Sequence, residues 1–341
     1  MSSLSGRGWT QRHLNGRALV AHVSVLYYLD GRTQDEIAAQ LRLSRAKVSR
    51  LLCTARETGV VRIFVRPPPD MLLTLETELE ERFGLREVRI VSSSCDESSG
   101  EVRRKLGRLA AADLARSART GHTVGLAGSE LIAAMADALP PNVAPGVRVV
   151  QGVGWENAPT PRRSLTDLVL DLARRIEGMP VVLPAPSVVD SEHVRRSLVA
   201  DPQIDDALHA LDTLDTLYAE IAPAAPDARR EPDAPVPVGH IARRHFDCRG
   251  QMLGAVADAH VVGLTLEQLY RARHVVALAD DPAQAHVIAA ALRTRLVGTL
   301  ITDERTARAI AALPVSRADR SPVAGARITA APPTNPAREP R

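Results

Sequence analysis

The chain has 341 residues, 45% of them hydrophobic and 24% charged, which is room for a small domain and a larger one with a sizeable core. No apolar run approaches membrane-spanning length and no charged leader opens onto an apolar signal core, so neither a membrane span nor a secretion signal is expected and the chain reads as cytoplasmic. Residues 1–66 carry eleven Arg/Lys against four Asp/Glu while the whole chain carries +3, so a basic head precedes a mildly acidic body, and a polyanionic partner is expected for the head alone.

Residues 1–16 read as a disordered extension and 17–66 as a helix-turn-helix domain. The stretch "ALVAHVSVLYYLDG" (18–31) has apolar residues at helical spacing and ends on glycine. A second helix begins after Thr33, an N-cap with Glu36 three residues on as its capping-box partner, and Ile37, Ala38 and Leu41 form its buried stripe. Ser44 caps a third helix, "RAKVSRLL", whose Val48, Leu51, Leu52 and Ala55 face that stripe. Arg45, Lys47, Ser49 and Arg50 are left on the other side, near a positively polarised helix N-terminus.

Counting from Gln34 as the first position, Ala38 is the fifth and Val48 and Leu51 the fifteenth and eighteenth, where a helix-turn-helix needs close approach and a shared core. The turn position that usually holds glycine, the ninth, holds Arg42, a departure costing about 1 kcal/mol if its φ is positive. After Gly59, "VVRIFVR" alternates like a wing strand. The alternative is a small helical hairpin with a solvated charged face. Caps, core and exposed basic and hydroxyl residues agree on a DNA reader instead. Thr33, Gln34, Ser44, Arg45, Lys47, Ser49 and Arg50 are the candidate contacts to double-stranded operator DNA, with the third helix in a major groove.

Residues 67–84 read as a linker. A proline run is followed by a helix with Leu72, Leu75, Leu79 and Phe83 on one stripe, either a dimer seam or a face packed on the body. From 85 to 314, apolar runs alternate with helical ones. The strand candidates are "EVRIVS", "TVGLA", "VRVVQG", "MPVVLP", "TLYAEIA", "HVVALAD" and "GTLITD". The helix candidates are 101–117, 131–139, 165–176, 191–199, 266–271, 282–293 and 304–312. This alternation predicts a parallel α/β sheet with helices on both faces. Ligands in such sheets bind beyond the strand carboxyl ends, here "LAGSE", "QGVGWEN", "LPAPSVVD", "AEIAPAAP", "LADDPAQ" and "TDE". Residues 223–237 read as a flexible loop and 315–341 as a disordered tail.

From about Leu19 to Leu313 the chain resembles the SorC family of sugar-binding bacterial transcriptional regulators. The stretches that carry the likeness include "YYLDGRTQDEIAAQLRLSRAKVSRLLCTARETGVVRIFV", "LPAPSVVDSEHVRRSLVADPQI", "RHFDCRGQ" and "AALRTRLVGTLITDERTA". The resemblance implies an N-terminal winged helix-turn-helix and a larger parallel-sheet α/β effector and oligomerisation domain. That domain has a fold like glucosamine-6-phosphate deaminase and ribose-5-phosphate isomerase, and in the family it typically binds a phosphorylated sugar.

The likeness weakens at the loops that the family uses for ligand. The pattern G-x-S-W-G-x-T becomes "GLAGSE", which keeps Gly128 and Ser129 but puts Glu130 at a hydroxyl position. G-I-G becomes Glu220-Ile221-Ala222, and A-G-G-x-x-K becomes Ala279-Asp280-Asp281-Pro282-Ala283-Gln284. His240 replaces an acid in G-A-V-G-D-I. If the loops converge as that fold implies, up to four carboxylates surround the phosphate site and repel a dianion. Gly128, Ser129, Glu130, Glu220, Asp280, Asp281 and Gln284 are therefore the candidate effector residues. The expected effector is non-phosphorylated or cationic (a sugar or an amine), or there is none.

Asp280 and Asp281 equally fit plain N-capping ahead of Pro282. An ordinary sugar-phosphate-responsive regulator is the second reading and an enzyme of the isomerase/deaminase fold a remote third. No catalytic residue, cofactor or metal is expected. Cys53, Cys95 and Cys248 lack metal or redox spacing, and a site from His240, His245, Asp247 and Cys248 has no diagnostic spacing. A homodimer or homotetramer is expected, because one recognition helix reads only a few base pairs.

Overall fold

The structure, a computed structural model, describes residues 16–61, 69–94, 96–156, 163–224, 235–253 and 258–319. The chain divides into two units, Met1–Arg66 and Pro67–Arg341.

In the first unit α1 (Gly16–Ser24) runs into a π-helical turn, Val25–Leu29, and is followed by α2 (Gln34–Leu41) and α3 (Arg45–Glu57). Val23, Leu26, Ile37, Ala38, Val48 and Leu52 form one buried cluster, with Leu19, Leu41 and Leu51 packed against it. Burying each of the larger side chains contributes roughly 1.5–3 kcal/mol, which is what holds three helices this short. Both caps form. Thr33 accepts from the Glu36 N–H while Glu36 accepts from Thr33, and Ser44 accepts from the Lys47 N–H. Arg42 sits at φ 51°, ψ 43°, so the turn uses the left-handed conformation with arginine in the glycine position. The proposed wing strand falls mostly on 62–66, outside the described residues.

The second unit opens with α4 (Pro69–Phe83), whose Leu75, Leu79 and Phe83 are buried in the core of that unit. Of the two readings of this stripe, a dimer seam or a face packed on the body, the helix takes the second. Glu80 and Glu76 of the same helix accept hydrogen bonds from the Val88 and Ile90 N–H groups at 2.8 Å each. That contact covers the edge of β1 (Glu87–Val91), an end strand whose free N–H groups would otherwise invite pairing.

The sheet continues with β2 (Thr123–Ala127), β3 (Arg148–Gln151), β4 (Met179–Val181), β5 (Thr216–Pro223), β8 (Val275–Ala279) and β9 (Thr299–Asp303), in spatial order β1-β9-β8-β5-β2-β3-β4 with every pairing parallel. All seven predicted strands are present. β2, β8 and β9 are buried along their whole length, the position of inner strands in a parallel sheet covered on both faces. The intervening helices are α5 (Ser99–Ser117), α6 (Glu130–Ala138), α7 (Leu165–Ile176), α8 (Glu192–Val199), α9 (Pro202–His209), α10 (Leu266–Arg271), α11 (Ala285–Arg293) and α12 (Glu304–Ala311). From β2 the chain winds outward through β3 and β4, then returns to β5 on the other side of β2 and winds away through β8 and β9. The switch point lies between β2 and β5, and its crevice is where such sheets bind ligands.

Four elements depart from the sequence reading. The segment 282–293 begins as a 3-10 turn, Pro282–Gln284, before α11. α9 and the hairpin β6 (Gly239–Ile241) and β7 (Arg244–Phe246), which extends β5 antiparallel, were not anticipated. The tail expected to be disordered from 315 is ordered through Asp319, a buried carboxylate between Arg82 and Arg293. Much of the loop expected at 223–237 lies outside the described residues.

Candidate functional site

The amphipathic pattern of α3 settles which residues its surface offers. Val48, Leu52 and Ala55 are buried, and Ser44, Arg45, Lys47, Ser49 and Arg50 are exposed. Arg45 makes a solvent-exposed pair with Asp35 at 3.7 Å, a contact of little energy that leaves the guanidinium available. Arg50 leans back on the Ala46 carbonyl at 3.3 Å. Thr33 and Ser44 have their hydroxyls engaged in capping, while Gln34 is the half-buried first residue of α2.

In the second unit a cavity of about 490 Å³ opens at the switch point. Its walls come from the end of β2 and the turn into α6 (Ala127, Gly128, Ser129), the loop after β3 (Val153, Gly154, Glu156), the start of α7 (Arg163, Ser164, Leu165), β5 (Glu220, Ala222) and the β6–β7 hairpin (His240, Ala242, Arg243).

The Glu220 carboxylate organises this cavity. Its Oε1 accepts three backbone hydrogen bonds at the N-terminus of α6, from Ser129 at 2.8 Å, Leu131 at 2.8 Å and Ile132 at 3.1 Å. Residue 128 must be glycine for this contact. Its φ is +156°, and an added Cβ would lie 2.7 Å from Glu220 Cγ and 2.9 Å from Oε1. Burial raises the Glu220 pKa, the three N–H bonds pull it down, and Asp280 nearby adds to the rise, so the net shift is upward.

The basic residues of the wall already have counterions. Arg243 makes two contacts to Glu156, at 2.7 and 2.6 Å, and Arg163 pairs with Asp137 at 2.8 Å. Ala242 and Arg243 form the hairpin turn at φ 49° and 62°, a left-handed pair without glycine. Among the described residues the His240 Nδ1 is buried without a hydrogen-bond partner. Burial, with Arg243 and His245 beside it, lowers its pKa to about 3, so the ring is neutral at physiological pH.

Of the seven candidate effector residues, the fold brings Gly128, Ser129 and Glu220 to the cavity. The expected ring of four carboxylates does not form. Glu130 and Asp280 both turn to Arg103 of α5, each at 2.6 Å, because one guanidinium fork satisfies two acids that would otherwise repel. Asp281 caps its own turn, accepting from the Ala283 N–H and from the Gln284 side chain at 2.9 Å each, which accounts for Gln284 as well. Glu156, Arg163, Ser164 and Arg243 were not singled out in the sequence. "QGVGWEN" did mark the loop that carries Glu156, whereas the hairpin strands, Gly-His-Ile and Arg-His-Phe, contain no apolar run to reveal them. For the alternative metal site, Asp247 accepts from the Arg249 and Gln251 N–H groups and Cys248 is exposed. Among the described residues no group of three or more His, Cys, Asp or Glu could hold an ion.

A helix-turn-helix unit followed by a doubly wound sheet with a cavity at its switch point defines the class, a one-chain transcriptional regulator with an effector-type domain. Residues 68–312 match the family model described as "Putative sugar-binding domain". The chain is 30% identical over 324 residues to the transcriptional regulator LsrR of Enterobacter sp. (strain 638), covering 88% of this chain and 94% of that one. It is 29% identical over 296 residues to the deoxyribonucleoside regulator of Bacillus subtilis (strain 168), covering 84% and 94%. The crystal structure of the full-length sorbitol operon regulator SorC from Klebsiella pneumoniae has the same fold, with a TM-score of 0.64 at 23% identity over 87% of this chain and 99% of that chain. The chain belongs to the SorC family of transcriptional regulators.

Proposed function

We propose that this protein binds double-stranded operator DNA through α3 and answers to a small, non-phosphorylated effector in the β2–β5 cavity, acting in the cytoplasm as a homodimer or homotetramer. The observation that carries the DNA reading is α3 itself. Its inner face is fully used by the three-helix core, and its first two turns present Arg45, Lys47, Ser49 and Arg50 outward. Arginine pairs bidentately with guanine edges, and lysine and serine serve phosphates or bases. The reading is one of binding, with no catalytic step assigned. Among the described residues no helix is long and apolar enough to cross a membrane.

The cavity supports an uncharged effector over a cationic one. Of its lining acids, Glu156 pairs with Arg243 and Glu220 is held by three backbone N–H groups. The three backbone hydrogen bonds to Glu220 all go to Oε1, and a hydroxyl group suits the cavity, since it can donate to Oε2 of that carboxylate. Polyhydroxylated molecules such as sugars are the class that this favours.

Selection of duplexes from a random library by the full-length protein tests the DNA reading. A single enriched motif is expected, with Arg45→Ala and Arg50→Ala each weakening its binding by about 1–3 kcal/mol. A library that returns no motif sinks it. Calorimetry against free sugars, amino sugars, polyamines and sugar phosphates tests the effector, and tight binding of a sugar phosphate lost on Ser129→Ala contradicts the non-phosphorylated reading.

A further inference from the structure

We propose that the Glu220 carboxylate is a resident stand-in for a ligand's phosphate: it fills an anion seat at the N-terminus of α6, and emptying that seat converts the cavity into a phosphate site. The inference rests on reading the β2–β5 cavity as the effector site and names the residue that sets its ligand class.

Three backbone N–H groups converging on one oxygen at a strand-to-helix turn are an anion-binding arrangement, and α6 adds the positive end of its dipole. Here the anion belongs to the chain. Glu220 comes from β5, some ninety residues away in sequence, so local helix capping does not require it. Gly128 keeps the backbone open to this one side chain, and a Cβ there would collide with it.

The surroundings agree with a seat that holds one anion at a time. A second anion beside Glu220 would call for a free cation, and the arginines of the cavity wall, Arg163 and Arg243, are each engaged by an acid. Arg103 serves Glu130 and Asp280 and does not line the cavity. A monoanionic carboxylate in the seat needs no further partner. The room left beside it still has the cavity's volume, which is a site for the rest of a ligand and not for its anionic end.

The test compares full-length wild type with Glu220→Gly, Glu220→Ala and Glu220→Gln, using inorganic phosphate and fructose 6-phosphate as probes in calorimetry and thermal unfolding at matched ionic strength. Wild type and Glu220→Gln, which keeps an acceptor oxygen in the seat, are expected to show only the non-specific salt effect. Glu220→Gly or Glu220→Ala is expected to gain saturable binding of both probes, on the order of tenfold or more tighter than wild type, the scale of a set of charge-assisted hydrogen bonds. Three results overturn the proposal. Wild type binds the probes as tightly as the emptied variants, or a folded Glu220→Gly or Glu220→Ala gains nothing, which would make Glu220 a structural cap only, or Glu220→Gln gains as much as Glu220→Gly, which would make charge and not occupancy the cause. DNA binding in the same samples reports separately on the regulator reading, so failure of one is distinguishable from failure of the other.

Discussion

Asp319→Asn removes a charge that the body cannot replace. The carboxylate is fully buried, and the two guanidinium groups that hold it are 6% and 12% exposed. Arg82 Nε reaches Oδ2 at 3.0 Å, Arg293 Nε reaches Oδ1 at 2.6 Å, and the Ser316 N–H donates to Oδ2 at 3.0 Å. Arg82 also donates to the Ile310, Ala311 and Pro314 carbonyls, so it cannot swing out to water without releasing the end of α12. An amide in place of the carboxylate leaves two buried cations uncompensated, at a cost of about 3–5 kcal/mol. For a unit of this size, with about 2–4 °C for each kcal/mol, the melting temperature should fall by roughly 6–20 °C.

Urea and thermal unfolding of the full-length protein, followed by circular dichroism, measure the effect. Burial raises the Asp319 pKa, but Arg293, the Ser316 N–H and Arg82 together outweigh it, so the net shift is downward. A depressed carboxylate pKa stabilises the fold above its unfolded value of about 3.9, and that contribution is lost as pH falls through the folded value. The gap between wild type and variant should therefore be flat from neutral pH down to about 5 and close only in acid. A loss under about 1 kcal/mol, the range of a surface pair, would refute the reasoning. So would a gap that widens as the pH falls.

Two further outcomes follow from the head and the assembly. Arg42→Gly should stabilise the head by about 0.5–1 kcal/mol, because relief of a left-handed arginine exceeds the added backbone entropy. Native-state hydrogen exchange should show higher protection in α2 and α3 with the body unchanged, and lower protection in α3 would contradict it. Light scattering at micromolar concentration should give a dimer or tetramer, and a strict monomer would count against two-fold reading of an operator.

Local patterns made most of the fold legible. Alternating apolar runs marked all seven parallel strands, and the caps at Thr33 and Ser44 marked the starts of α2 and α3. Even the oddity at Arg42 was visible, because turn geometry demands one conformation whatever residue occupies it. What stayed hidden depends on partners distant in sequence. Asp319 lies in a Pro- and Ala-rich tail, and nothing near it reveals Arg82. The four acids near the effector loops looked alike in sequence, yet a single guanidinium, Arg103, takes two of them, a local turn takes a third, and the N-terminus of α6 takes the last. The β6–β7 hairpin escaped notice because its strands, Gly-His-Ile and Arg-His-Phe, contain no apolar run.

The central claim is that α3 reads a DNA sequence, and the most direct measurement is the ratio of two affinities at one salt concentration. Fluorescence anisotropy of the full-length protein would compare the selected duplex with a scrambled duplex of equal length and composition. The expected ratio is on the order of 1,000 or more for wild type, falling toward unity in the Arg45→Ala, Arg50→Ala double variant while its unfolding transition is unchanged. Equal affinity of the wild type for both duplexes, or an undiminished ratio in the folded double variant, would contradict the account.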